Sequence, residues 1–198
     1  MQPVRHHLAI RVLHWAVAVM VIAALAMSTF IMSQIPDEDP EKMASALRHM
    51  SVGLLICIGT LVRLFWRRRV KRLPSLSSGM PWADVLAGIV HRGLDVLVLT
   101  MIISGIAMAV QLRLPLMALR GEPFPSEIVS LFAFTVHVVG AFVLTGALLM
   151  HIGGALYHQF ILKDGLLSRM GFDLPLNRPR FTRHFEALSW QPSGGVYE

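Results

Sequence analysis

IVSLFAFTVHVVGAFVLTGALLMHIGGALYHQFIL, residues 128–162, runs for 35 positions without an Asp, Glu, Lys or Arg. As a helix rising about 1.5 Å per residue it would reach about 52 Å, beyond the roughly 30 Å of a bilayer's hydrocarbon core. The run is expected to cross a membrane and project from it at one end. Three earlier stretches read the same way: Val12 to Met32, about Ala44 to Trp66 and about Ala83 to Leu112. Each is long enough to span, and a helix satisfies its own backbone where no water is present. The first is read as part of the mature chain. It is longer than a secretory apolar core, and Ile35-Pro36 and an acidic loop follow it where a small-residue cleavage site would stand.

Composition agrees with lipid burial. Of 198 residues, 55% are hydrophobic and 15% charged, whereas a soluble domain carries about a quarter charged residues to keep its surface wetted. Disorder is excluded by the same apolar wealth. The single cysteine, Cys57, has no intrachain partner and reads as a structural thiol in an apolar run. No C-x-x-C-H occurs, which removes covalent c-type haem attachment. The expected fold is all-α, a four-helix transmembrane bundle over residues 1–172 followed by a cytoplasmic C-terminal tail, 173–198.

Charge sets the expected sidedness, since Lys and Arg concentrate on the cytoplasmic face. Arg5 and Arg11 at the start, Arg63, Arg67, Arg68, Arg69, Lys71, Arg72 and Arg92 around the second loop, and Lys163, Arg169, Arg178, Arg180 and Arg183 at the end make 14 of the 18 bases. Both termini are therefore expected inside, in the inner (plasma) membrane, with Pro36 to Glu41 facing out. Anionic lipid and topology account for the net charge of +6, so nucleic acid is not an expected partner.

The informative residues are histidines in or beside the apolar runs: His14, His49, His91, His137, His151 and His158. Polar groups at membrane depth are rare and tend to be functional. His137 and His151 lie 14 residues apart, about 21 Å of rise and about 40° short of four full turns, so one helix face offers imidazoles at two depths. Because alternate spans enter from opposite sides, His49 falls level with His137 near the outer surface and His14 level with His151 near the inner one. Two imidazoles facing each other across a bundle suit the axial positions of an iron porphyrin, whose ring needs an apolar slot. Zinc fits less well, because it gathers about four ligands at one point. Gly53, Gly140, Gly153 and Gly154 stand near these histidines, where they either make room for a ring or allow close helix packing. Arg63 repeats the 14-residue stride from His49, to meet haem propionates or to snorkel to the surface. His158, at the inner boundary, is a candidate for a propionate, a quinone oxygen or a proton path. His6, His7 and His184 lie in wetted segments and carry no assignment.

Arg11-Val-Leu-His14-Trp15, His49-Met-Ser-Val-Gly53 followed by Leu61-Val-Arg63-Leu-Phe-Trp-Arg67, and His137 through His151 to His158 with Leu162-Lys163-Asp164-Gly-Leu-Leu-Ser-Arg169-Met170 together resemble the bacterial cytochrome b561 family over roughly residues 8 to 172. The resemblance implies a multi-pass inner-membrane protein with two non-covalent haem b groups, iron ligands at His14, His49, His137 and His151, and electron transport to or from quinone in a respiratory chain. Family members often carry His directly after the Gly of the third span, where this chain has Leu94, with His91 one turn earlier.

One branch resembles superoxide oxidases, which reduce ubiquinone with electrons from superoxide. The outer loops hold six acids against four bases, which does not favour steering of an anion, although Lys42 and Arg48 lie close to His49. Two other readings stay open: a haem-bearing membrane anchor for a larger dehydrogenase or other electron-donor protein, and a non-haem structural or metal-binding bundle. Whether the chain is a quinone-linked oxidoreductase or only an electron carrier is left open by the sequence.

Overall fold

The computed structural model describes residues 6–70 and 80–172. The expected tail, 173–198, lies outside them, as do Arg5, Lys71, Arg72, Arg178, Arg180, Arg183 and His184. Among the described residues all regular structure is helical, and four helices are long and apolar enough to cross a membrane.

The first span begins with α1, Leu8–Ala26, and continues through a π turn, Met27–Ile31, into a 3-10 turn, Met32–Gln34. The second is α2, Pro40–Arg69. Asp39 caps it by accepting from the Glu41 backbone N–H at 2.8 Å, Pro40 takes the first helical position and Glu41 sits at the positive end of the dipole. The last two residues of the expected outer loop are thus the first turn of α2. One residue on, the Lys42 ammonium reaches back to the carbonyls of Met32 at 3.0 Å and Ile35 at 2.7 Å, and to Asp37 at 3.2 Å. It supplies donors to a helix end that has none of its own and opposes the negative pole there.

The third span is α3, Pro81–Gln111, again with Pro in the first turn. Arg113, at φ 51°, turns the chain into the short α4, Leu114–Leu119. A 3-10 turn at Ser126–Ser130 takes up the first residues of the long apolar run, so α5 begins at Phe132 rather than Ile128. α5 extends to Tyr157 and passes into a π turn, His158–Leu162. Left-handed Lys163 and Gly165 then reverse the chain into α6, Leu166–Arg169.

Helix α1 packs along α2, and α3 packs along α5, with much sparser contact between the two pairs. Gly140 is one reason the second pair is so close. A Cβ there would come within 2.9 Å of Met101 Sδ, so of the two roles open to this glycine the structure favours close packing. Where the four spans do meet, Val17, Val21, Ile56, Val98 and Leu144 form a buried apolar layer. A second cluster, Met43, Ala46, Met108, Phe124 and Ile128, closes the end bearing the α1–α2 turn. Large apolar residues such as Phe30 (75% exposed) and Phe142 (76% exposed) face away from the bundle, as lipid contact requires. Cys57 is a half-buried free thiol.

Candidate functional site

The apolar layer divides the bundle into two levels. Leu144 lies seven residues after His137 and seven before His151, and Ile56 stands midway between His49 and Arg63. Each level holds histidines that reach across the sparse seam between the helix pairs. The end bearing the α1–α2 turn is labelled outer, following the charge bias.

At the outer level His49 of α2 faces His137 of α5, with ring centroids 6.1 Å apart and planes at 72°. His49 Nδ1 is buried and has no hydrogen-bond partner. A buried imidazole nitrogen left so costs about 1–3 kcal/mol unless something binds the ring. Gly53, one turn along α2, has no heavy atom within 4 Å of where a Cβ would stand, so open space adjoins the ligand candidate. His137 Nδ1 lies 2.9 Å from Ser104 Oγ of α3.

At the inner level His14 of α1 faces His151 of α5, again at 6.1 Å between centroids, with planes at 71°. A third ring, His91 of α3, stands 5.0 Å from His151. Trp15 stacks edgewise on His14, and its indole N–H donates to the Met170 carbonyl at 3.1 Å, tying α1 to the segment after α6. Gly153 and Gly154 have open space around them, on an exposed face of α5.

Arg63 sits at this level with its guanidinium on Asp95 of α3 at 2.5 Å, and Arg67 meets the other oxygen of that carboxylate at 2.7 Å. Asp95 therefore already holds one edge of the guanidinium that the sequence left open between a propionate and the surface. Arg63 Nε remains buried without a partner.

His158 opens the π turn and places Nδ1 2.6 Å from Asp164 Oδ2, while Asp164 Oδ1 accepts from the Leu166 N–H at 3.0 Å. One carboxylate thus fixes the imidazole and starts α6. Outside the spans, His6 joins its backbone N–H to the Arg169 carbonyl at 3.1 Å. Burial lowers its pKa below the usual 6.5, and the cations of Arg169 and Arg67 lower it further.

An imidazole nitrogen binds a metal at about 2 Å, so two rings sharing one ion from opposite sides stand about 6 Å apart between centres. Both histidine pairs have that separation. Among the described residues no group of three or more His, Cys, Asp or Glu converges as zinc would require. Paired imidazoles, an orphaned ring nitrogen and open space at Gly53 fit an iron porphyrin, which needs two axial nitrogens and room for its plane.

Sequence reasoning missed Ser104, Asp95, the approach of His91 to His151 and the Asp164 partner of His158. Asp95 carried a signal, because an acid inside an apolar run needs a counter-charge. Ser104 carried almost none, since serine is common in membrane helices. The two bases expected near His49 are both engaged: Lys42 with the α1 end and Arg48 with Glu41.

A family model described as prokaryotic cytochrome b561 matches residues 5–173. The chain is also similar to a protein of Escherichia coli (strain K12) named cytochrome b561 homolog 2, at 26% identity over 173 residues, which cover 85% of this chain and 92% of that one.

Proposed function

The chain belongs to the prokaryotic cytochrome b561 family, a family of membrane cytochromes b in electron transfer, and on that premise we propose that it is a di-haem relay passing electrons between two membrane levels and a quinone. The observation that carries the proposal is the pair of 6.1 Å imidazole couples, each bridging the seam between helix pairs. When bound, two haem b groups, each held by two imidazoles, would supply one-electron chemistry.

The protein's own part is ligation, exclusion of water and placement of charge. His49 and His137 would hold the outer group, His14 and His151 the inner one. Val17, Val21, Ile56, Val98 and Leu144 keep the space between the levels dry. Arg63 brings positive charge to the inner level, with Asp95, which also binds Arg67, holding its guanidinium in place and its buried, unpartnered Nε left to donate to a further acceptor such as a propionate. His158, oriented through Nδ1 by Asp164, would offer its other nitrogen to a quinone oxygen and exchange protons with the inner side. Residues 1–172 would form the membrane domain and 173–198 a cytoplasmic tail, with both termini inside.

Superoxide oxidation is not favoured by the outer face. The ammonium of Lys42 is spent on helix carbonyls and Arg48 is paired with Glu41, so neither stands free to attract an anion. Service as the anchor of a larger dehydrogenase remains an outcome of purification, where a stoichiometric large partner would reveal it.

A reduced-minus-oxidised visible spectrum with a pyridine haemochrome count tests the reading. Two b haems per chain are expected. His49→Ala or His137→Ala should remove one, and His14→Ala or His151→Ala the other. A colourless wild-type protein would overturn the reading in favour of a non-haem bundle.

A further inference from the structure

Ser104 is 5% exposed in the middle of an apolar stretch of α3, yet every part of its hydroxyl is engaged. Oγ lies 2.8 Å from the Thr100 carbonyl, 3.1 Å from the Met101 carbonyl and 2.9 Å from His137 Nδ1. A serine hydroxyl has one hydrogen, and carbonyl oxygens can only accept, so that hydrogen belongs to the α3 carbonyls. Towards His137 the oxygen then accepts, with the hydrogen on Nδ1, and the Met101 carbonyl, which also hydrogen-bonds the ring, favours the same tautomer. In a neutral imidazole with Nδ1–H the lone pair sits on Nε2. Gly105 adjoins the ring, since a Cβ there would touch His137 Cε1 at 3.4 Å.

We infer that Ser104 is a positioning residue for His137: by accepting from Nδ1–H, alongside the Met101 carbonyl, it holds the tautomer and the ring direction, so that Nε2 is the nitrogen presented to the outer iron. Metal-binding imidazoles depend on such partners, which raise the basicity of the ligating nitrogen. A more basic ligand favours the ferric form and holds the outer potential down. At the inner level α3 places an imidazole, His91, against His151 instead of a hydroxyl, so the two α5 histidines are backed by different chemistry from the same helix. This inference rests on the ligand assignment proposed above and goes beyond it.

The test is a potentiometric titration of purified wild-type, Ser104→Ala and Ser104→Thr holoprotein, with a haem count on each. In Ser104→Ala one of the two midpoints should rise by about 59 mV, a tenfold shift in the ferric-to-ferrous ratio. The other midpoint should not move, and Ser104→Thr, which keeps the hydroxyl, should restore the wild-type value. Unchanged midpoints in Ser104→Ala, or a threonine variant that behaves like alanine, overturn the inference while leaving the ligand assignment standing. Loss of both haems from the wild type, or retention of both in His137→Ala, overturns the ligand assignment and the inference with it. Should Ser104→Ala fail to accumulate, Ser104→Cys keeps the size with a weaker acceptor and must raise the same midpoint; an unmoved midpoint there is equally fatal.

Discussion

Single residues decide what the bundle can hold. The four ligand candidates were legible in the sequence because an imidazole at membrane depth is conspicuous and because 14 residues return a helix to nearly the same face. Their partners were not, since a hydrogen bond between distant helices leaves no trace in either local pattern. Asp95 shows the difference. Arg63 was visible from its stride, but the carboxylate that holds it comes from another helix, 32 residues on. Both side chains are largely buried, 15% and 18% exposed, so Asp95→Asn leaves a cation without its counter-charge. It should destabilise the protein by roughly 3 kcal/mol, read as a lower melting temperature in detergent, whereas Arg63→Leu with Asp95→Leu should recover most of that loss. Asp164→Asn should act differently. It weakens the hold on His158 without touching a ligand candidate, so quinone-dependent haem oxidation should slow by about tenfold at an unchanged haem count.

At the level of elements, the spans were read nearly to their ends, and the departures have physical causes. Apolar periodicity and charge locate a helix, but Asp39 and Pro40 extend α2 outward through a cap, and the turn after Pro125 shortens the fourth span at its start. Caps and turns spend polar or proline residues that a hydropathy reading assigns to loops. The Lys42 staple is such a device. Lys42→Met should keep the alkyl stem and strip donors from the α1 end, costing about 1–2 kcal/mol and raising hydrogen exchange near Met32 to Ile35. The imidazole of His6, partly buried just before α1, makes this end pH-sensitive. Because the folded-state pKa of His6 lies below its unfolded value of 6.5, unfolding takes up a proton as pH falls through that window, and stability falls with it. Protection of the amides at residues 8–11, taken as exchange relative to the intrinsic rate at each pH, should therefore fall below about pH 6.5 and stay constant above it.

The whole molecule is two helix pairs, α1 with α2 and α3 with α5, joined across a seam at three heights: a histidine couple, an aliphatic belt and a second couple. The two histidine levels were expected from depth counting along the sequence, whereas the belt between them was not. Nor was the unequal closeness of the pairs, because it depends on which small residues meet which side chains, as Gly140 meets Met101. The belt of Val17, Val21, Ile56, Val98 and Leu144 has a consequence for energetics. It contains no titratable group, so on the proposed function an electron passed from one couple to the other would travel without a companion ion. Such a step displaces net charge through a thin insulator, as current through a capacitor, and works with or against the voltage across it by up to about 2.3 kcal/mol per 100 mV. In sealed vesicles, turnover should speed up under one sign of an imposed diffusion potential and slow under the other, and a response equal for both signs would mean that charge is neutralised on the way.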